Sequence, residues 1–448
     1  MSFPIDVVRA QFPALHLSDE GKTRIYLDNP AGTQVPQSVV DAVSHAFVHS
    51  NANLGGFFKT TKAADQIVLD AHQAMADFLG GREEEIIIGP NMTTLTYHMS
   101  RTLGRNWQVG DEIIVTRMDH EGDVSPWLQI AEDKGMVVRW LPFNQESWRI
   151  EEEDLQALLN EKTKLLALNY ASNLTGSIND VQKLTSIAKA AGALVYVDAV
   201  QFAPHGLIDV SKIGCDFLAC SAYKFFGPHI GVLWGRKALL ENTEAYKCRC
   251  SSTALPEKFE IGTPQVELHA GLTATVSYYE DLGRQLGAQG SSRDAIAQAF
   301  EGATFYERDL MTKLISGLSA LPGVSIHGIT NSNRMSERVP TVSFTHDRKT
   351  PDEIAKALSD NNIFVWSGHN YAYEVVRQLG IDETTGVVRI GAAHYNTPNE
   401  IDACLNAVEA SLDKSTVGLG AYCSVVRLRS VSSSLSFRQR RVPLKKTV

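Results

Sequence analysis

The sequence predicts an α/β fold in which a mostly parallel sheet is covered by helices and followed by a smaller α+β domain at the C-terminal end. Three observations predict it. Short apolar runs recur from residue 22 to about 235, and segments with apolar residues at helical spacing separate them. Such alternation suits a parallel sheet, whose strands are joined through helices lying on its faces. After about residue 265 the order changes to a helix-rich stretch and then to strands interleaved with helices.

In chain order the strand candidates are "EEIIIGP", "DEIIVTR", "MVVRWLPF", "TKLLALNY", "ALVYVDA", "CDFLACS" and "GVLWG". Their near-continuous apolar character is that of strands buried on both faces. "AADQIVLDAHQAMADFLG" and "VQKLTSIAKAAG" read as helices between them. A helix-rich stretch covers about 265 to 321. The strand "RVPTVSFTH", the helix "PDEIAKALSDN", the strands "IFVWSG" and "GVVRIGA" and the helix "PNEIDACLNAVEASL" follow. The expected division is a large domain over residues 1–290, its N-terminal segment packing on the small domain, and a small domain over 291–413. From Ser415 on the chain has seven basic residues, no acidic ones and the serine-rich "RSVSSSLSFR". Residues 414–448 therefore read as a basic, disordered tail.

Composition narrows the function. The chain has 448 residues, 44% of them hydrophobic, enough for a large core. A net charge of −9 argues against nucleic acid or an anionic membrane as partner. The start "MSFPIDVVRAQFPAL" lacks the basic and apolar regions of a signal peptide, and no apolar run is long enough to span a membrane. Six scattered cysteines make no disulfide framework, so a cytoplasmic location is expected. No second pair with ligand spacing accompanies Cys248 and Cys250, so no metal is expected.

Ligands bind such sheets at the carboxyl ends of the strands, which makes the polar residues just past each strand the candidates. Asp198 ends "ALVYVDA", where a buried carboxylate is costly unless a cation meets it. Lys224 follows 26 residues later, read as the end of the next strand but one, between Tyr223 and two phenylalanines with no acidic residue within five positions. A lysine in an apolar site has a depressed pKa and a nucleophilic amine. Pyridoxal phosphate needs this pair: an amine for its aldehyde and a carboxylate for its pyridine nitrogen. Thr93 and Thr94 open a helix after a strand, where free N–H groups favour a phosphate. His120 lies just past another strand, where an imidazole could stack on the pyridine ring, and Ser221 could add a hydroxyl to the phosphate. Asn173 and Gln201 could bond the phenolic oxygen. Each has a plainer reading, as a helix cap, a packed histidine or a solvent lysine. Their joint position at strand ends outweighs those readings.

The ordered segments "YLDNPAG", "TTLT", "DHEGDVSPW", "SNLTG", "VDAVQ", "SAYKFFGPHIG", "FEIGTP" and "VRIGAAHYNT" resemble the class V aminotransferase family, nearest to its cysteine desulfurase and selenocysteine lyase-like branch. The resemblance covers residues 22 to 412. It implies the fold type I architecture of pyridoxal-phosphate-dependent transferases, with Lys224 binding the cofactor's aldehyde, Asp198 pairing with the ring nitrogen and His120 stacking on the ring. It implies that Gln201 and Asn173 hold the ring oxygen and that Thr94 and Ser221 bind the phosphate. It further implies a homodimer with active sites at the interface, in which Gly262 and Thr263 complete the phosphate site of the other subunit. Arg389 would clamp the carboxylate of a small α-amino acid. Trp366, His369, Asn370, Tyr371, Asn29 and Ala31 would line the substrate side.

Three departures bear on the reaction. Tyr223 stands where the desulfurases commonly have histidine, and Trp366 where a second substrate-binding arginine is expected. Tyr371 replaces the loop cysteine that takes up sulfur as a persulfide, a role a phenol cannot fill. The implied activity is therefore desulfurase-like chemistry at Cα and Cβ, of the C–S lyase or transferase type, without a persulfide cysteine. The alternatives are an amino-acid epimerase or a decarboxylative aldol enzyme, and, of another class, a non-catalytic pseudoenzyme.

Overall fold

The computed structural model describes residues 3–413. The tail expected over 414–448 lies outside the described residues. Seven strands form the central sheet: β1 (Ile86–Gly89), β2 (Glu112–Thr116), β3 (Val137–Leu141), β4 (Thr163–Asn169), β5 (Leu194–Asp198), β6 (Phe217–Ser221) and β7 (Gly231–Gly235). Each corresponds to one of the seven apolar runs. Their order across the sheet is β1-β7-β6-β5-β4-β2-β3. Alternate side chains feed opposite faces: Val195 and Val197 of β5 enter one hydrophobic cluster and Tyr196 enters another.

Within this sheet β7 alone runs against its neighbours, β1 and β6. The reason is the length of the connection. Only Ala222–Ile230 join β6 to β7, and a parallel crossover needs about a dozen residues or more. The chain therefore turns back at the carboxyl edge, and Lys224 sits within that turn. Lys224 is not at the next strand but one after Asp198. β6 follows β5 directly and pairs with it, Asp198 opposite Ala219, because the stretch between them forms turns and the short helix Val210–Ile213 instead of a strand.

A second sheet holds β8 (Val324–His327), β9 (Thr341–His346), β10 (Trp366–Gly368) and β11 (Val387–Gly391), antiparallel in the order β8-β9-β11-β10. The run "IFVWSG" is not one strand. Ile363–Phe364 pair in parallel with Ile25–Tyr26, and Trp366–Gly368 pair with β11. The first pairing brings "YLDNPAG" to β11, where Asp28 bridges Gly391. The helix Ser292–Ala320 supplies Leu310, Leu314 and Leu318 to the core under the second sheet, which Ile354 and Ile401 complete. Residues up to Leu412 pack as one compact unit.

The helix Met92–Leu103 starts directly over the first residue of β7. A Cβ on Gly231 would lie 2.3 Å from the backbone carbon of Asn91. Gly231→Ala should therefore push the helix start off the sheet edge and destabilise the protein by about 1–3 kcal/mol, the usual cost of overpacking. Thermal denaturation of purified Gly231→Ala against the parent checks this, and an unchanged melting temperature would contradict it.

Candidate active site

The carboxyl ends of the central strands open into a cavity of about 390 Å³. Lys224, Asp198 and His120 all line it. The Lys224 amine donates to the Pro30 carbonyl and lies 5.3 Å from the centre of the Tyr223 ring. Burial and the charge of Arg389 lower the amine's pKa to about 7. Asp198 stands opposite Asn169 in the β4–β5 pairing and accepts the Val200 N–H at 2.8 Å. Burial holds its carboxyl above the ordinary range, since nothing but the Val200 amide and the more distant Lys224 offsets the lost hydration.

At the other end of the cavity the helix Met92–Leu103 presents its N-terminus. Asn91 caps it by accepting the Thr94 N–H at 2.8 Å. The Ser221 oxygen accepts the Met92 N–H at 3.0 Å, which leaves the hydroxyl proton free to donate into the cavity. Thr93 lines this cavity. Thr94 does not: with its N–H turned to Asn91, it lines a separate cavity of about 520 Å³ together with Gly262 and Thr263. Of the two threonines, Thr93 is thus the one beside Ser221. His229 also lines the Lys224 cavity, its ring stacked on Tyr223 with centroids 4.9 Å apart and planes 9° apart. Sequence reasoning passed over His229, although it belongs to the same segment as Lys224.

His120 accepts the Gly122 N–H on Nδ1 at 2.9 Å, so Nε2 carries the proton of the neutral ring. Burial, Lys224 and Arg389 press its pKa down to about 3, and the imidazole stays neutral throughout the physiological range. Gln201 donates to the Thr341 hydroxyl at 3.0 Å and leaves Oε1 buried without a partner. The Thr341 hydroxyl can donate as well as accept, so a turned Gln201 amide would keep that bond and offer its N–H₂ to the cavity. Asn173 has no such freedom. Its N–H₂ is bonded to the Asn370 carbonyl at 2.8 Å, and the atom left without a partner is the acceptor Oδ1. Arg389 stands behind it, donating to the Asn173 carbonyl at 3.0 Å with Nε buried and unpaired.

The substrate-side residues do not wall this cavity. Asn29 is committed to structure: its amide donates to the Tyr26 and Gly391 carbonyls and to Asn396, and its oxygen accepts from Tyr395. With every polar atom engaged it has nothing to offer a substrate, which corrects the expected role. The Ala31 N–H is likewise occupied, by the Asp28 carbonyl. Trp366 and Tyr371 are 52% and 64% exposed. Tyr371 stacks on His120, and His369 accepts the Tyr371 N–H.

Three carboxyls near the site were not legible as functional in the sequence. Asp28 has Oδ1 buried without a partner, and burial raises it to about 6 against the pull of Arg389 and Lys224. Asp119 and Asp123 flank His120 and are fully buried with Asp198 close by; burial and the charge of Asp198 raise both well above the carboxylate range, and Asp119 adds to the rise at Asp123. Asp119 accepts from Thr116 and Asp123 from the Trp127 indole at 3.1 Å. The motif "DHEGD" shows the spacing, but only the fold shows that both carboxyls turn inward toward β5.

The residues present fit pyridoxal phosphate. A free hydroxyl and a helix N-terminus suit a dianion, a buried carboxyl short of a cation suits a ring nitrogen, and an amine with its pKa lowered to about 7 suits an aldehyde. Among the described residues no cluster of His, Cys, Asp and Glu is arranged to hold a metal, and no helix is long and apolar enough to cross a membrane.

Comparison with known proteins agrees. The family model described as "Aminotransferase class-V" matches residues 25–404. An aminotransferase-like protein of Gibberella zeae, FGM3, is 32% identical over 92% of this chain and 99% of its own. A probable cysteine desulfurase of Halalkalibacterium halodurans is also 32% identical, over 90% of this chain and 96% of its own. Among solved structures, the apo cysteine desulfurase of Thermococcus onnurineus superposes with a TM-score of 0.79 at 29% identity, covering 92% of this chain and 98% of that one.

Two outcomes follow. Only the neutral amine attacks an aldehyde, so uptake of pyridoxal phosphate by the apoprotein, followed by visible absorbance, should accelerate as pH rises through about 7 and be lost in Lys224→Ala. A rate that is flat across that range would contradict it. Asp123 has a folded-state pKa above its unfolded value, so the folded state binds more protons and stability falls as pH rises past about 4. Asp123→Asn keeps the bond from Trp127 and removes that loss. It should melt a few degrees above the parent at pH 7–8, with the gap closing toward pH 4.

Proposed function

We propose, from the premise that the chain belongs to the class V aminotransferase family and is a pyridoxal-phosphate-dependent enzyme, that it carries out desulfurase-like chemistry at Cα and Cβ of a small α-amino acid without a persulfide cysteine. The observation that carries this reading is Tyr371, on the loop after β10, where the resemblance expects the sulfur-accepting thiol. The cavity wall offers no substitute, since no cysteine lines it. Cys215, Cys220 and Cys404 are buried, and burial raises all three thiols, Cys404 to about 12, so they are not nucleophiles at neutral pH.

When bound, pyridoxal phosphate supplies an aldehyde for the substrate amine and a protonated ring that draws electrons from the bonds at Cα. The chain's own residues do the rest. Thr93, Ser221 and the helix start at Met92 hold the phosphate, and Asp198, ionised, holds the proton on the ring nitrogen. His120 would pack against the ring, and Gln201 would bond its phenolic oxygen. Arg389, buried and with Nε unpaired, orients the substrate carboxylate. Lys224, whose amine has a pKa lowered to about 7 and so is in part neutral at that pH, takes the proton from Cα. A leaving group at Cβ can then depart without any thiol to receive it.

We also read the protein as a homodimer. Gly262 and Thr263 are exposed and line a cavity apart from the Lys224 site, which fits a role in the partner's phosphate site, and Phe57 and Phe58 are 95% and 60% exposed.

Amino acids with and without a β-leaving group should be added to the holoenzyme while the visible spectrum, released ammonia, pyruvate and sulfide are followed. The expected result is a spectral change and loss of the β-substituent with pyruvate and ammonia formed in step, and alanine from cysteine plus a thiol reductant near the level of Lys224→Ala. Multiple-turnover formation of alanine and sulfide from cysteine would overturn the reading.

A further inference from the structure

The Tyr371 ring does not point into the cavity. It lies parallel to His120, centroids 5.3 Å apart and planes 20° apart. Its backbone is tied to the same place, because the Tyr371 carbonyl accepts the N–H of Glu121, the residue after His120, at 2.8 Å. The preceding carbonyl, that of Asn370, accepts from the Asn173 side chain at 2.8 Å. One step back, Trp366 pairs with Arg389 across β10 and β11. The loop is thus fastened to the ring-stacking, amide and carboxylate-binding residues together.

The fastening holds an unfavourable backbone. Asn370 has φ +51° and Tyr371 φ +59°, in the left-handed region. Asparagine tolerates that region; a tyrosine there is uncommon and persists only where its surroundings fix it. The ring itself is 64% exposed, so core burial does not account for it. On His120, the bond from Gly122 pins one edge of the imidazole at Nδ1, and the Tyr371 ring covers one face.

We propose that Tyr371 is a positioning residue for His120, its ring backing the imidazole and fixing the plane that His120 presents to the cofactor. The inference rests on the reading of His120 as the residue against the cofactor ring. The residue in the place of the sulfur-accepting thiol then acts through its aromatic face and not through its hydroxyl.

The test compares wild type, Tyr371→Phe, Tyr371→Ala, His120→Ala and the double variant His120→Ala/Tyr371→Ala as holoenzymes. Visible circular dichroism of the bound cofactor and the dissociation constant of pyridoxal phosphate are measured, with far-ultraviolet spectra to confirm folding. Tyr371→Phe keeps the stack and should match wild type within about twofold. Tyr371→Ala should weaken cofactor binding roughly three- to tenfold, the worth of one aromatic pair, and lower the visible signal. The double variant should bind no more weakly than His120→Ala alone, which a general loosening of the fold would not produce. Tyr371→Ala indistinguishable from wild type, or Tyr371→Phe as impaired as Tyr371→Ala, would overturn the proposal. If His120→Ala itself leaves the signal and affinity unchanged, the reading of His120 fails and takes the proposal with it.

Discussion

Lys224 and Asp198 are both withdrawn from water at the carboxyl edge of one sheet, and the cost of burying those groups organises the rest of the site. The lysine answers it with a pKa lowered to about 7 and by donating to the Pro30 carbonyl. Arg389 brings a second cation close by, and Asp28 faces both. On the other side of the ring site Asp119 and Asp123 crowd Asp198, and three buried carboxyls cannot all be ionised together. The two outer ones hold protons more strongly, which leaves Asp198 as the carboxyl best placed to ionise when a ring cation arrives.

That arrangement depends on a topological accident of length. The link from β6 to β7 is too short to cross the sheet, so the chain reverses at the carboxyl edge and leaves Lys224 in the reversal. β7 then begins at the same edge, and Gly231, having no Cβ, lets the start of the helix Met92–Leu103 rest against it. The helix start proposed to hold the phosphate and the lysine are therefore set by one short segment. The pairing of Ile25–Tyr26 with Ile363–Phe364 does the corresponding work for the other wall, carrying Pro30 to Lys224 and Asp28 to β11.

Much of this was legible in the residues. The apolar runs marked all seven strands of the central sheet because burial on both faces leaves little room for polar side chains. Asp198, Lys224, His120, Ser221 and Thr93 could be found because a ligand site at strand ends puts polar residues where the apolar run stops. Asn29 misled because "YLDNPAG" shows an amide but not what satisfies it. Thr94 misled because adjacent residues at a helix start face different ways, and Asn91 takes its N–H. His229 and Asp28 went unread because their contacts come from Tyr223 and from Arg389 and Lys224, the second pair distant in the chain.

By itself the sequence determined the cofactor: one lysine among aromatics and one aspartate at a strand end are chemical requirements, and chemical requirements are written in residue types. It also placed Tyr371, which has no thiol, where the resemblance expects a cysteine. Only the tertiary structure decided what Tyr371 touches. Its ring meets His120 across some 250 residues of chain, and its backbone is held in a left-handed turn by hydrogen bonds from Glu121 and, through Asn370, from Asn173. Contacts of that range arise from how the second sheet lies against the first, a property of packing that no local pattern carries.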